Sequence, residues 1–600
     1  MSPKTVRVGG ASGAWGDSPM AIGQLLGADI QYLVMDYLAE VSMSLLARAR
    51  MKAPDAGYPA DFIAYLKPHL PELQRRSVRV ITNAGGVNPR ACKAALERCC
   101  AELGVTLRIA VVEGDDLMPI IEELRGEHVR EWVSGEELPT TLLTANAYLG
   151  AVPIAAALRA GADVVITGRC ADSALALGAL MHEFDWPPDD YERLAAGSLV
   201  GHMLECGPQA TGGLFTDWES VPDWHNIGYP IAACTSDGRF VLTKPPGTGG
   251  LVSPAAAAEQ VLYEVGDPGA YILPDVIADF SQVQLETIAA EQVLVSGARG
   301  RAPTTDYKVS ATYQDGFRAV AMVSIIGFDA RRKAERTGQA LLERARMLFE
   351  RQGRADFSAT HMEVLGSEAA YGTEARARDT REVILRLVVD HRDSRALEVF
   401  ARELGSVGLS FAPGTTGLIG GRPKATPVVK LFTFFVKKSR PHPITISVGD
   451  APPARVAIPA GVNARAATAD AAPSVVPDRA DPADPADSVL VPLIAVAHAR
   501  SGDKGNTSNV AIFCRKPEFY AHLAAILSAG RIADHFRQVA DGPVVRYEAA
   551  GLCAFNFVIE NALGGGGMAS ARIDPQGKAY GQRALEMLVP IPRSWGIGMP

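Results

Sequence analysis

The sequence predicts an α/β fold: a doubly wound, mostly parallel sheet, followed by an α+β layer and a small two-layer α+β module. Three observations predict it. Short apolar runs alternate with helical spacing through the first 305 residues. Each run ends in a glycine or acidic cluster. From about residue 306 the runs come in pairs instead. Apolar runs of this length between helical segments mark parallel strands covered on both faces.

The elements follow in order. Residues 6–8 run into GGASGAWGDS, and helical spacing begins near Pro19. Residues 30–35 are apolar and end in the polar cluster Asp36, Tyr37 and Glu40. Residues 78–82 run into NAGGVNP and a helix over 90–103. A strand over 107–112 ends in EGDD, 143–161 reads as one long Ala-rich helix, and a strand over 162–166 ends in TGRCADSA. In open α/β sheets ligands bind beyond the carboxyl ends of the strands, so these clusters predict a site on one rim.

From 306 the pattern predicts a hairpin around QDG with strands 307–313 and 317–326, a charged helix over 331–352, strands 361–365 and 383–390, a helix over 394–404 and a strand over 428–437. That is an antiparallel α+β layer. A flexible linker is expected over 451–488, with its core at 464–488 rich in Ala, Pro and Asp and almost free of large apolar residues. Such a segment buries too little surface to offset its ordering entropy. The last module, 489–600, shows strands at 489–496, 510–514, 544–548 and 554–559, a helix over 517–536 and a final helix near 581–587.

Composition narrows the function. The chain has 600 residues, 48% hydrophobic and 21% charged, with a net charge of −8. This is globular composition with material for several domains. The acidic balance argues against a nucleic-acid binder. No run approaches the roughly 20 apolar residues of a membrane helix, and the start lacks a signal-peptide pattern. The expectation is a cytoplasmic protein with neither a nucleic-acid nor a membrane partner. The eight cysteines show no C-x-x-C and no metal-finger spacing, which predicts buried, reduced thiols.

Four groups of residues carry candidate chemistry. Gly10, Ser12, Gly13 and Asp17 follow the first strand, and Asn83, Gly85 and Gly86 repeat the arrangement on another. Glycine-rich strand-to-helix turns expose N–H groups that suit phosphate or carboxylate, or else simply turn the chain tightly. The spacing is neither G-x-G-x-x-G nor a P-loop, so a hydride-transferring dehydrogenase is disfavoured. Glu113, Asp115 and Asp116 could hold Mg²⁺, hydrogen-bond hydroxyls or act as solvated turn formers. Arg169 could fork onto an anionic substrate, and Asp172 is placed to cap a helix or act in catalysis.

In GHMLECGPQATGG, His202, Glu205 and Cys206 share one helix face. They could form an acid/base pair, a nucleophile or a divalent-metal site, although the motif is not H-E-x-x-H. Gly212 and Gly213 would let a ligand approach the backbone. In ARSGDKGNTSN, Arg500, Ser501, Asp503, Lys504 and Asn506 read as one loop that could meet an anion. The glycine run that includes Gly565 and Gly566 implies a close backbone contact.

Taken together, GGASGAWGDS, NAGGVNP, EGDD, TGRCADSAL, GHMLECGPQATGG and HARSGDKGNTSN resemble the acyclic terpene utilisation family over essentially the whole chain. The resemblance implies a large N-terminal region and a small ferredoxin-like C-terminal domain after a linker. It implies a role in catabolism of citronellol, geraniol or related branched acids through their CoA thioesters. The expectation is a lyase or hydratase with a CoA thioester as small-molecule partner, a homo-oligomeric state, and Mg²⁺ as an open possibility. In that scheme Glu205 or His202 is the base, the loops at 9–18 and 83–86 supply donors, and Arg500 and Lys504 meet phosphate. The other reading is a non-catalytic acyl-CoA-binding subunit or scaffold of the same pathway.

Overall fold

The computed structural model describes residues 4–440, 443–463 and 487–597. The linker core expected at 464–488 lies, up to residue 486, outside the described residues.

Five parallel strands form the centre of the first sheet. They are β1 (Thr5–Gly10), β2 (Tyr32–Met35), β3 (Arg79–Thr82), β4 (Ile109–Glu113) and, after β5 (Thr144–Ala147) of another sheet, β6 (Val164–Thr167). Their spatial order is β1-β2-β3-β6-β4. Alternate residues face two separate cores. Val34, Ile81, Ala110 and Val165 face the helices Val152–Arg159, Ala174–Glu183 and Tyr191–Leu204. Leu33, Val80, Val164 and Ile166 face Met20–Leu26 and Pro89–Leu103. Burial on both faces is why these strands read as continuous apolar runs.

The sheet as a whole is mixed rather than mostly parallel. It has eleven strands, and β7 (Ile231–Thr235) and β8 (Phe240–Thr243) extend it antiparallel beyond β1. At the other edge Thr445–Val448 pairs antiparallel with β4, and Ala454–Arg455 pairs with it in turn. The chain thus returns to the first sheet within the stretch expected to open the linker.

The stretch 143–161 is not one helix. It holds β5 and then the helix Val152–Arg159, with Pro at its first turn. Alanine content favours helix, but the Thr144 hydroxyl bonds the Thr312 hydroxyl at 2.7 Å, and β5 joins the second sheet. The expected hairpin around QDG is absent too. Asp306–Ile326 is one 21-residue strand with a register shift between Gln314 and Phe317. Its first half pairs with Thr426–Lys437 and its second with Glu382–His391. The turn residues form an irregularity in a strand that has partners on both sides.

The C-terminal module is a four-stranded antiparallel sheet. ARSGDKGNTSN is not a loop but a tight hairpin of Ala497–Lys504 with Thr507–Cys514. The helix expected over 517–536 breaks into Tyr520–Ile526 and Ala529–Phe536, the second capped by Ser528. One face of the sheet, with Val510, Ile512, Phe555 and Phe557, packs on the module's own helices. The other, with Ala511, Phe513 and Ala554, joins the core of the first domain. Polar clamps register that docking. Asn556 Nδ2 donates to the carbonyls of Val265 (2.8 Å) and Gly266 (2.6 Å). Asn509 Nδ2 donates to Leu262 O, and His498 Nδ1 lies 2.9 Å from Glu259 Oε1.

Candidate active site

The helix Tyr191–Leu204 ends against the β1 loop. A Cβ on Gly10 would stand 2.6 Å from the Leu204 carbonyl oxygen, and one on Gly13 would stand 2.7 Å from the Cys206 backbone. These glycines therefore admit the helix end rather than a ligand. Their loop is held by Asp17, which accepts from the Gly13 N–H (2.9 Å) and the Tyr229 hydroxyl (2.5 Å).

This close approach sets Glu205 at a small cavity of about 10 Å³ lined by Ser12, Asp36, Asp172 and Glu205, with Leu175 and Leu204 among its apolar walls. Asp36 is buried and accepts from Asn83 Nδ2 at 2.5 Å and the Leu38 N–H at 3.1 Å. Burial and the nearby Asp172 push its carboxyl well above the usual range. Asp172 does not cap its helix. Arg169 donates to its Oδ1 at 2.7 Å and to the Leu38 carbonyl at 2.7 Å. The Arg169 guanidinium also stacks 4.3 Å over the Tyr148 ring.

His202 is buried. Its Nε2 stands 3.1 Å from the Val261 carbonyl and its Nδ1 3.0 Å from Glu205 Oε1. A carbonyl only accepts, so Nε2 carries a proton. One further proton then lies between Nδ1 and Oε1, on either partner, or two lone pairs would oppose each other. Burial raises the Glu205 carboxyl, against the pull of His202. Cys206 sits beside this pair, but burial, Glu205 and Glu264 all push its thiol up. That environment does not favour a thiolate nucleophile.

Two charge clusters lie near the cavity at Glu205 without lining it. In the first, Glu40 Oε1 contacts the Tyr148 hydroxyl and lies 4.0 Å from Lys308 Nζ, a residue of the long strand Asp306–Ile326. Burial would raise Glu40, but Lys308, Arg169 and Tyr148 outweigh it and hold it at about 2. In the second, Glu264 accepts from Lys504 at 3.2 Å and Lys578 at 3.1 Å, and Lys578 also pairs with Asp503 at 3.1 Å. Burial is again outweighed, and Glu264 stands at about 2. Lys504 is influenced by Glu264, Tyr271, Glu40 and Asp172, so the C-terminal hairpin faces the first-domain rim. It keeps 52% of its side chain accessible, so this side of the site is open.

Other expected site residues are engaged within the protein. Glu113 is held by a bidentate pair with the exposed Arg90. Asp115 is buried behind the rim, accepting from Asn146 Nδ2 and the Arg169 N–H, both at 2.8 Å. The Gly85 N–H donates to Thr167 O, the Gly86 N–H to Asn83 O, and the Gly213 N–H, next to Gly212, to Pro208 O. Arg500 fastens the C-terminal module, donating to Leu214 O (3.1 Å) and Gln209 Oε1, with its guanidinium 4.7 Å over Tyr263. Ser501 bonds Gly577 O. The glycine run does make a close backbone contact, with its own chain: the Gly565 N–H donates to Asn506 Oδ1 at 2.8 Å, and a Cβ on Gly566 would stand 2.7 Å from Gly505 O.

The rim thus brings together Ser12, Asp172, Arg169, His202, Glu205 and Lys504. Sequence reasoning missed Asp36, Glu40, Tyr148, Lys308, Glu264 and Lys578 as site residues. Asp36 and Glu40 carried a signal, since both follow β2 on the predicted rim. Among the described residues no group of three or more His, Cys, Asp or Glu is placed to hold a metal ion, and no helix is long and apolar enough to cross a membrane.

Comparison with known proteins agrees with this architecture. The family model "Acyclic terpene utilisation family protein AtuA" matches residues 6–445. The model for the AtuA ferredoxin-like domain matches residues 491–590. No curated protein matches the chain. The chain belongs to the acyclic terpene utilisation family, in the form that carries a C-terminal ferredoxin-like domain.

Proposed function

We propose that this protein is an enzyme of acyclic terpene or branched-acid catabolism, of lyase or hydratase type, acting on a branched acyl-CoA. The family supplies the pathway. The observation that carries the chemistry is the 3.0 Å contact of His202 Nδ1 with Glu205 Oε1 at a cavity that also holds Asp36 and Asp172. Lyase and hydratase steps move a proton at a carbon near a carbonyl, and a carboxyl raised by burial is suited to that work. Glu205 takes or gives the proton, and His202 holds it in reserve, fixed by Val261 O.

The cavity has room for about one water molecule, the second substrate of a hydratase step, and the acyl chain reaches it from outside. The CoA then lies outside, past Lys504 and Lys308, whose charges favour its phosphates. Arg169 is tied to Asp172 and Leu38 O, so it shapes the rim rather than meeting phosphate.

The test is incubation of the purified protein with branched acyl-CoAs, with and without Mg²⁺, followed by mass spectrometry of the thioesters. Water addition or chain cleavage is expected. Binding with no conversion of any of them overturns the catalytic reading in favour of an acyl-CoA-binding subunit.

A further inference from the structure

A second cavity, of about 320 Å³, lies between the α+β layer and the C-terminal module and shares no lining residue with the cavity at Glu205. Arg583, on the short helix Tyr580–Leu585, lines it and also an adjoining cavity. Arg583 is 5% exposed. Its guanidinium lies among the rings of Phe536 (5.3 Å), Tyr371 (5.5 Å) and Tyr580 (5.6 Å). Its Nε is buried with no hydrogen-bond partner, and among the described residues no carboxylate pairs with it.

The other charged groups of this cavity have partners: Glu368 accepts from the Arg376 N–H, and His361 Nε2 lies 3.2 Å from Glu363 Oε1. Arg331 donates to Glu335 at 2.9 Å. Glu363 takes Arg386 and the Ile573 N–H. Asp574 accepts the N–H groups of Lys578 and Ala579. Arg572 donates to the carbonyls of Val539 and Ala562. Arg583 is left as a buried cation facing open space. Ring faces offset part of the desolvation of a guanidinium, but its fork of N–H donors matches an oxyanion.

We propose that this cavity is a ligand site for a small organic oxyanion, a carboxylate or a phosphate ester of up to nucleotide size, gripped by Arg583. The volume is at the lower end for small-molecule sites, and Met362 and Val364 add apolar wall beside the rings. The loop around residues 368–376 closes one side, through Tyr371 Oη to Glu586 (2.7 Å) and the Thr373 N–H to Gln538 Oε1 (2.7 Å). A ligand here would touch both the layer and the module, so its occupancy would strengthen their contact. The site does not depend on the reading of Glu205.

Calorimetric titration of the full chain with AMP, hexanoate and inorganic phosphate tests it. At least one probe is expected to bind at millimolar concentration or below, and which one binds identifies the source of the oxyanion. Arg583→Met should weaken that binding by about tenfold or more. Ala370→Trp, which leaves Arg583 in place and fills the cavity, should do the same and serves if Arg583→Met fails to fold. Glu205→Gln should leave binding intact. No binding of any probe, or binding that survives either folded variant, overturns the proposal. So does binding lost in Glu205→Gln, which would locate the probe at the first cavity.

Discussion

His202 Nδ1 and Glu205 Oε1 stand 3.0 Å apart at the end of one helix, with the imidazole's other nitrogen held by Val261 O. Burial raises the Glu205 carboxyl above the range of an exposed one. Glu205→Gln keeps the shape and removes the transferable proton. On a substrate the wild type converts, turnover should fall by about 100-fold or more, with an unchanged circular dichroism spectrum. Turnover within a few-fold of wild type would take Glu205 out of the mechanism.

The position of that pair depends on a contact made by a residue without a side chain. Gly10→Ala would drive a Cβ to 2.6 Å from the backbone oxygen of Leu204, one residue before Glu205. Backbone cannot rotate away as a side-chain tip can. The cost should be about 1–3 kcal/mol, read by urea denaturation, together with a loss of activity. Gly104→Ala is the control: its Cβ meets nothing, and only its positive φ is strained. Equal effects of the two substitutions on activity would argue against the contact.

The rim was legible because strand ends obey a local rule. Asp36, Asn83, Asp115 and Arg169 all follow apolar runs, and the parallel core brings those ends together. The residues that complete the site obey no local rule. Lys308 comes from near the start of a 21-residue strand, and Lys578 from a loop of another module. Only tertiary docking brings them to Glu40 and Glu264. The same limit explains the misread elements. QDG is a turn signal, yet the strand runs on because it is paired on both sides of the irregularity. The motif residues Arg500 and Ser501 were legible as important but not as fasteners, because what they fasten, Gln209 and Gly577, is distant in sequence.

Cys206 borders the site but is held as a thiol. Burial and the carboxyls of Glu205, Glu264 and Asp36 push it up, with Gln260 opposing. Alkylation by iodoacetamide at pH 8 should be at least about tenfold slower at Cys206 than at free cysteine, whose thiol loses its proton near pH 8.5. Peptide mass spectrometry of the native protein reads this directly. Labelling faster than free cysteine would reveal an activated nucleophile and restore Cys206 to the catalytic set.

Asp115 gives the stability curve a defined sign. Burial raises its carboxyl to about 7, against the hydrogen bonds from the Arg169 N–H and Asn146. The unfolded chain loses this proton near the ordinary Asp value, so between that pH and about 7 the native state binds the extra proton. The contribution is whole below that window and is lost as pH rises through it. At 1.36 kcal/mol per pH unit the loss amounts to roughly 4 kcal/mol by pH 8. Asp115→Asn cannot ionise and should remove that slope, while its amide oxygen in the place of Oδ2 still accepts both N–H bonds. Urea denaturation at pH 5 and pH 8 should show wild type losing stability relative to the variant at the higher pH. Parallel behaviour of the two proteins would mean that Asp115 is already ionised in the fold, with Arg169 and Asn146 carrying its charge.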